Sequence, residues 1–140
     1  MKALLILLIT CAAIVAQSKD DLRKKYGQPV AETYVIRPGI IVTASYDLTG
    51  QVTEMVIAPQ LTDLIKSKSR GLSHETIQEI IDELIPTAER GRGMFGVFFN
   101  IGCIPENDCY GSFNDYEKVI IYYNAGQHGD INYAVIRWKK

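Results

Sequence analysis

No excess of one charge runs through this sequence: 15 lysines and arginines face 16 aspartates and glutamates across 140 residues. A domain that grips nucleic acid electrostatically carries a clear basic surplus, so that class is set aside. Like charges never gather into a long block, which removes a disordered acidic or basic arm. Cysteine is scarce, three in all. With no C-x-x-C pair, neither a four-thiolate zinc site nor thioredoxin-type redox chemistry has its residues. No serine sits in G-x-S-x-G, and Gly91-Arg92-Gly93 with Gly96 lacks the G-K-[ST] of a phosphate loop. His74-Glu75 opens like a zinc-protease helix, but Gln78 stands where the second histidine is needed. No apolar run reaches the roughly 20 residues that cross a bilayer.

What is present begins at the N-terminus. Lys2 precedes an apolar run from Ala3 to Ile9; after Thr10 and Cys11, small and apolar residues continue to Ala16, and polar Gln17-Ser18-Lys19-Asp20 follow. A positive start, a short apolar centre and a small residue at the exit are what export and signal peptidase require. The pattern predicts a signal peptide over residues 1–16 and an exported domain over 17–140, periplasmic or secreted, without a stable membrane anchor. A lipoprotein would carry its lipid on Cys11, but Thr10 precedes that residue and the apolar run continues past it. Loss of Lys2 leaves 14 basic residues against 16 acidic, a net charge near −2. A chain of that length makes one domain and buries about two thirds of its unfolded surface.

Two cysteines then remain, Cys103 and Cys109, enclosing Ile-Pro-Glu-Asn-Asp. In an exported chain such a pair is expected to form a disulfide, and Pro105 with Asn107-Asp108 supplies turn chemistry that brings the ends together. The chain-entropy argument assigns so small a ring about 2 kcal/mol, a local staple.

Along the exported part, Ser18 to Tyr26 places Asp20-Asp21 early and Lys24-Lys25 late, the order a helix dipole favours. Gly27 and Pro29 stop it, and Leu22 and Tyr26 are its expected buried face. Three strands follow, over 30–37, 40–47 and 51–58, separated by Pro38-Gly39 and Thr49-Gly50 turns; Ile40, Val42, Ala44 and Tyr46 share one face. A helical turn is expected around Leu61, Leu64 and Ile65, followed by a basic loop. Ile77, Ile80, Ile81, Leu84 and Ile85 recur at helical spacing behind an N-cap at Ser73, and Pro86 ends that helix. Strands are expected over 94–101, 116–124 and 131–138. The fold class is therefore predicted as α+β, an antiparallel sheet of about six strands, in one or two meanders, with helices packed on one face.

The stretch Leu22-Arg-Lys-Lys-Tyr-Gly-Gln-Pro29, followed by strands and the Asp47-Leu-Thr-Gly50-Gln-Val52 hairpin, resembles small exported bacterial domains of the outer-membrane assembly lipoprotein type (SmpA/OmlA). In arrangement it is also similar to β-lactamase inhibitor protein, which repeats such a unit. The resemblance covers about forty residues; it lacks a lipobox and carries a long second half. It implies a binding or scaffolding role, with another envelope or extracellular protein as partner, and assigns no functional residue.

Chemistry of other kinds has few places to reside. Glu106, Asn107, Asp108, Asn114, Asp115 and Glu117 crowd oxygens near the cysteine ring, but their spacing does not match a calcium loop. Lys66, Lys68 and Arg70 form a basic loop. No metal, cofactor or catalytic residue is assigned. Tyrosines offer more: Tyr34, Tyr46, Tyr110, Tyr122 and Tyr123 lie on expected strands, and on a sheet face left bare by the helices they would suit protein recognition. The reading is a binding module of the bacterial envelope or medium. Two alternatives stand beside it: a small extracellular hydrolase using carboxylates of the 106–117 region and His128, or a structural envelope component.

Overall fold

The computed structural model describes residues 18–60, 71–101, 109–126 and 130–140, the side chains of 97–101, 109 and 110 excepted. The elements run α1 (Lys19–Tyr26), β1 (Ala31–Arg37), β2 (Ile40–Tyr46), β3 (Val52–Pro59), α2 (His74–Leu84), α3 (Thr87–Arg90), β4 (Gly93–Ile101), β5 (Cys109–Tyr116), β6 (Val119–Ala125) and β7 (Ile131–Trp138). The expected signal segment, the helical turn near Leu61, the basic loop, Cys103, Glu106 to Asp108 and His128 lie outside the described residues.

All seven strands join one antiparallel sheet in the order β1-β2-β3-β7-β6-β5-β4. The predicted α+β class, with about six strands and several covering helices, is corrected to a sheet-dominated fold with only small helices. The extra strand is β5. Its sequence, Cys-Tyr-Gly-Ser-Phe-Asn-Asp-Tyr, is rich in residues that strands disfavour and turns favour, so it reads locally as an acidic loop. Pairing with β4 on one side and β6 on the other overrides that preference. The β5–β6 hairpin then turns at Glu117-Lys118, and the strand expected from residue 116 begins at Val119. Two meanders exist, β1-β2-β3 and β4-β5-β6-β7, but they fuse through their last strands, Ile57 opposite Ala134 and Met55 opposite Ile136.

Alternation decides which face is buried. Ile40, Val42 and Ala44 of β2, Ile57 of β3, Val119, Ile121 and Tyr123 of β6, and Ala134 and Ile136 of β7 all point to one side. Over them lies α2, whose Ile77, Ile80 and Ile81 are buried, with Ile85 just beyond it. Ser73 caps this helix, its hydroxyl accepting from the Thr76 N–H at 3.1 Å. Each fully buried isoleucine contributes about 1.5–3 kcal/mol of apolar transfer energy, and this one-sided layer is the core.

The first helix behaves differently. Ser18 and Asp21 form a reciprocal capping box, so α1 starts where expected, yet it buries nothing: Leu22 is 42 % and Tyr26 70 % exposed. The apolar face predicted from Leu22 and Tyr26 is corrected. Two apolar side chains among six charged or polar ones are too few to seat a two-turn helix on a core.

One contact closes the sheet behind α2. The Leu72 N–H donates to the Ile131 carbonyl and the Ile131 N–H to the Leu72 carbonyl, each at 2.7 Å. Gly71 sits so close to this bridge that a Cβ there would meet the Ile131 carbonyl oxygen at 2.2 Å. Gly71→Ala must therefore push the two backbones apart; it is expected to lower the unfolding free energy by about 1–3 kcal/mol, read as a lower urea midpoint with unchanged slope.

Candidate functional site

The sheet face opposite α2 is built by the other alternation. One cross-strand row runs through every strand: Thr33, Thr43, Val56, Val135, Tyr122, Phe113 and, by register, residue 97. The next row carries Ser45, Glu54, Arg137, Ile120, Asp115 and Phe95. No described helix covers these residues. Most are half-buried by their neighbours, as on an open sheet, while Phe95 is 64 % exposed and Tyr133 also stands out.

Aromatic rings make a continuous strip across this face. Phe95 and Phe113 have centroids 6.2 Å apart and tilted planes, and Phe113 and Tyr122 are 5.9 Å apart. The Arg137 guanidinium lies 5.8 Å from the Tyr122 centroid, completing the strip with a cation–π contact. Arg137 is itself held by Glu54, whose Oε2 accepts from Nε at 2.9 Å and from an Nη at 2.6 Å. That carboxylate raises the arginine's pKa. A shallow groove of about 360 Å³ lies at the Tyr122–Arg137 end of the strip, bordered also by Ser112, Asn124, Tyr133 and Val135. At the strip's far side Asp115 pairs with Lys139.

The tyrosines singled out from the sequence divide between two faces. Tyr122 is on the open face. Tyr123, its neighbour, points the other way into the core, where its hydroxyl accepts from Asn114 Nδ2 at 3.5 Å and its ring meets His74 at 5.7 Å; burial pushes its pKa up. Tyr34 and Tyr46 lie on the α2 side with hydroxyls 3.0 Å apart. The Tyr110 side chain lies outside the described residues, as do the Cys103–Cys109 pairing and His128. Phe95, Phe113 and Arg137 escape sequence reasoning focused on tyrosines, and the place of Phe113 on this face becomes visible only once β5 is recognised as a strand.

A second concavity, about 610 Å³, opens between α1 and the β2–β3 hairpin, with Arg23, Glu32, Tyr46 and Asp47 on its walls. Glu32 receives Lys19 Nζ at 2.7 Å, Arg23 at 3.3 Å and the Tyr34 hydroxyl at 2.6 Å. The lysine first, then Tyr34, holds the Glu32 carboxyl below its usual range, and Glu32 pushes the Tyr34 phenol well above its own. Asp47 is occupied by Thr49 and Gln51 in the hairpin turn. These polar groups bond one another and tie α1 to β1. The carboxylates of the 106–117 region that are described do not converge. Asp115 faces Lys139, Asn114 faces Tyr123 across the sheet, and Glu117 accepts weakly from the Arg92 N–H at 3.4 Å.

No protein-family model matches the chain, and no curated protein matches it. Among solved structures, the crystal structure of a DUF4309 family protein (YjgB) from Bacillus subtilis subsp. subtilis str. 168 aligns with 90 % of this chain and 81 % of its own, at 13 % identity and a TM-score of 0.39. A likeness of that size carries no conclusion about fold or activity.

Proposed function

We propose that this chain is an exported binding module of the bacterial envelope or its medium, and that a partner protein docks on the sheet face opposite α2. The observation that carries the reading is the Phe95–Phe113–Tyr122–Arg137 strip. Aromatic residues and arginine dominate binding hot spots because they bury large area at low entropic cost and retain a polar handle. These groups occupy a face the core does not use. The N-terminal sequence pattern supports export, and the absence of converging acid, base or nucleophile among the described residues makes recognition the better account of the face than turnover.

The test is capture with the protein recovered from cells expressing the full sequence, presented with envelope extract and culture medium from the source cells. One saturable partner is expected, and Tyr122→Ala should raise its dissociation constant at least tenfold, equivalent to about 1.4 kcal/mol. A partner held equally well by the Tyr122→Ala protein, or no saturable partner at all, sinks the proposal.

A further inference from the structure

The two edges of the sheet are unlike. At one edge, β1 carries Glu32 and Arg37 and is followed by Pro38. Glu32 is clasped by Lys19 and Arg23 of α1, and Arg37 reaches Glu79 and Glu83 of α2 at 2.8 and 3.3 Å. Charges and a covering helix are the usual devices that stop a sheet edge from pairing with another chain. Among the described residues, the other edge, β4, has none of them. Gly-Met-Phe-Gly-Val-Phe-Phe-Asn-Ile contains no charged residue and no proline over nine positions. It pairs only with β5 among the described residues, so alternate N–H and C=O groups along its outer side face away from the sheet. Met94 is 61 % exposed beside the exposed Phe95.

We infer that β4 is the interface through which a second copy of this chain adds to the sheet, β4 against β4 in antiparallel register. The occupant follows from the chemistry of the edge. Antiparallel pairing of a strand with itself obeys a two-fold axis, so one patch serves both partners and the assembly closes as a dimer. Because β4 is uncharged, self-pairing brings no like charges together, and it satisfies the outward backbone groups on both copies at once. The alternative head-to-tail contact, β4 on β1, would meet the charged, clasped edge and would grow without limit. A two-fold axis normal to the sheet keeps both open faces on one side. The two Phe95–Phe113–Tyr122 strips then approach the junction from opposite sides on one face of a doubled sheet. This inference concerns assembly and stands independently of the partner proposed above.

Protein recovered from cells expressing the full sequence is examined by sedimentation velocity and light scattering across a wide concentration range, with hydrogen exchange at its dilute and concentrated ends. The expected result is a reversible species of twice the monomer mass, with amides of β4 slowing as it forms while β1 amides do not. Met94→Lys with Phe95→Lys, two exposed positions whose charge would be duplicated across the axis, should raise the dimer dissociation constant more than tenfold. A monomer at every concentration overturns the inference. So does a dimer whose β4 amides exchange at the monomer rate, whether or not the double variant folds.

Discussion

Arg90→Ala is expected to lower the unfolding free energy by about 3–5 kcal/mol, among the largest single-residue effects in this protein. Arg90 is the one buried charged side chain among the described residues, at 2 % exposure. Its Nε donates to the Ile85 carbonyl at 2.8 Å, satisfying the end of α2; an Nη bonds Asp82 one turn back, and the guanidinium lies 5.7 Å from the Tyr116 centroid. It thus ties the helix terminus to the last residue of β5. Removing it leaves a carbonyl without its donor and a void against the tyrosine. Arg90→Met, which keeps most of the volume, should lose clearly less. Asp82→Ala removes the carboxylate partner of that guanidinium, but Asp82 is half-exposed, so the cost should be smaller, about 1 kcal/mol. Urea midpoints of the three variants test the ranking, and equal midpoints for Arg90→Ala and wild type would refute it.

The same pair has a pH signature. The hydrogen bond from Arg90 holds the Asp82 carboxyl below its ordinary value of 3.8. A depressed carboxylate binds fewer protons folded than unfolded, so it stabilises above that ordinary value, and the contribution is lost as pH falls through the folded one. Asp82 is half-exposed, so solvent screening keeps this contribution modest. The loss of stability between neutral and strongly acidic pH should be smaller in Asp82→Ala than in wild type.

The second large effect separates the faces of the central strand. Ile136 of β7 is fully buried beneath α2, and Ile136→Ala is expected to cost about 2–5 kcal/mol through lost transfer energy and the cavity left behind. Val135, one residue away, stands on the open face between Val56 and Tyr122. Val135→Ala removes only cross-strand contact and should cost less than about 1 kcal/mol. Comparable losses at both positions would mean that the open face is covered in solution, and would redirect the search for a partner toward this chain's own segments.

Local chemistry in the sequence reached far into this structure. The Ser73 cap, the isoleucine stripe of α2, the glycine turns at Gly39 and Gly50, and the alternation of β2 each depend on residues close in sequence. Neighbouring residues suffice to specify helix starts, helix faces and hairpin turns. Two readings failed for opposite reasons. In α1, periodicity promised a buried face that too few apolar residues could sustain. In β5, a turn-like composition concealed a strand that exists because both neighbours supply its hydrogen bonds.

What the sequence determined alone was a set of elements with one apolar side each, and an N-terminal pattern that predicts export. Tertiary structure decided how those sides combine. Joining β3 to β7 made one sheet from two meanders, and laying α2 on one side consigned Tyr123 to the core while leaving Tyr122 outside. Inserting β5 brought Phe113 between Phe95 and Tyr122. Residues 95, 113, 122 and 137 are separated by many positions in the chain, and no local rule relates them. They become one strip because strand register, a long-range property, carries them to the same face.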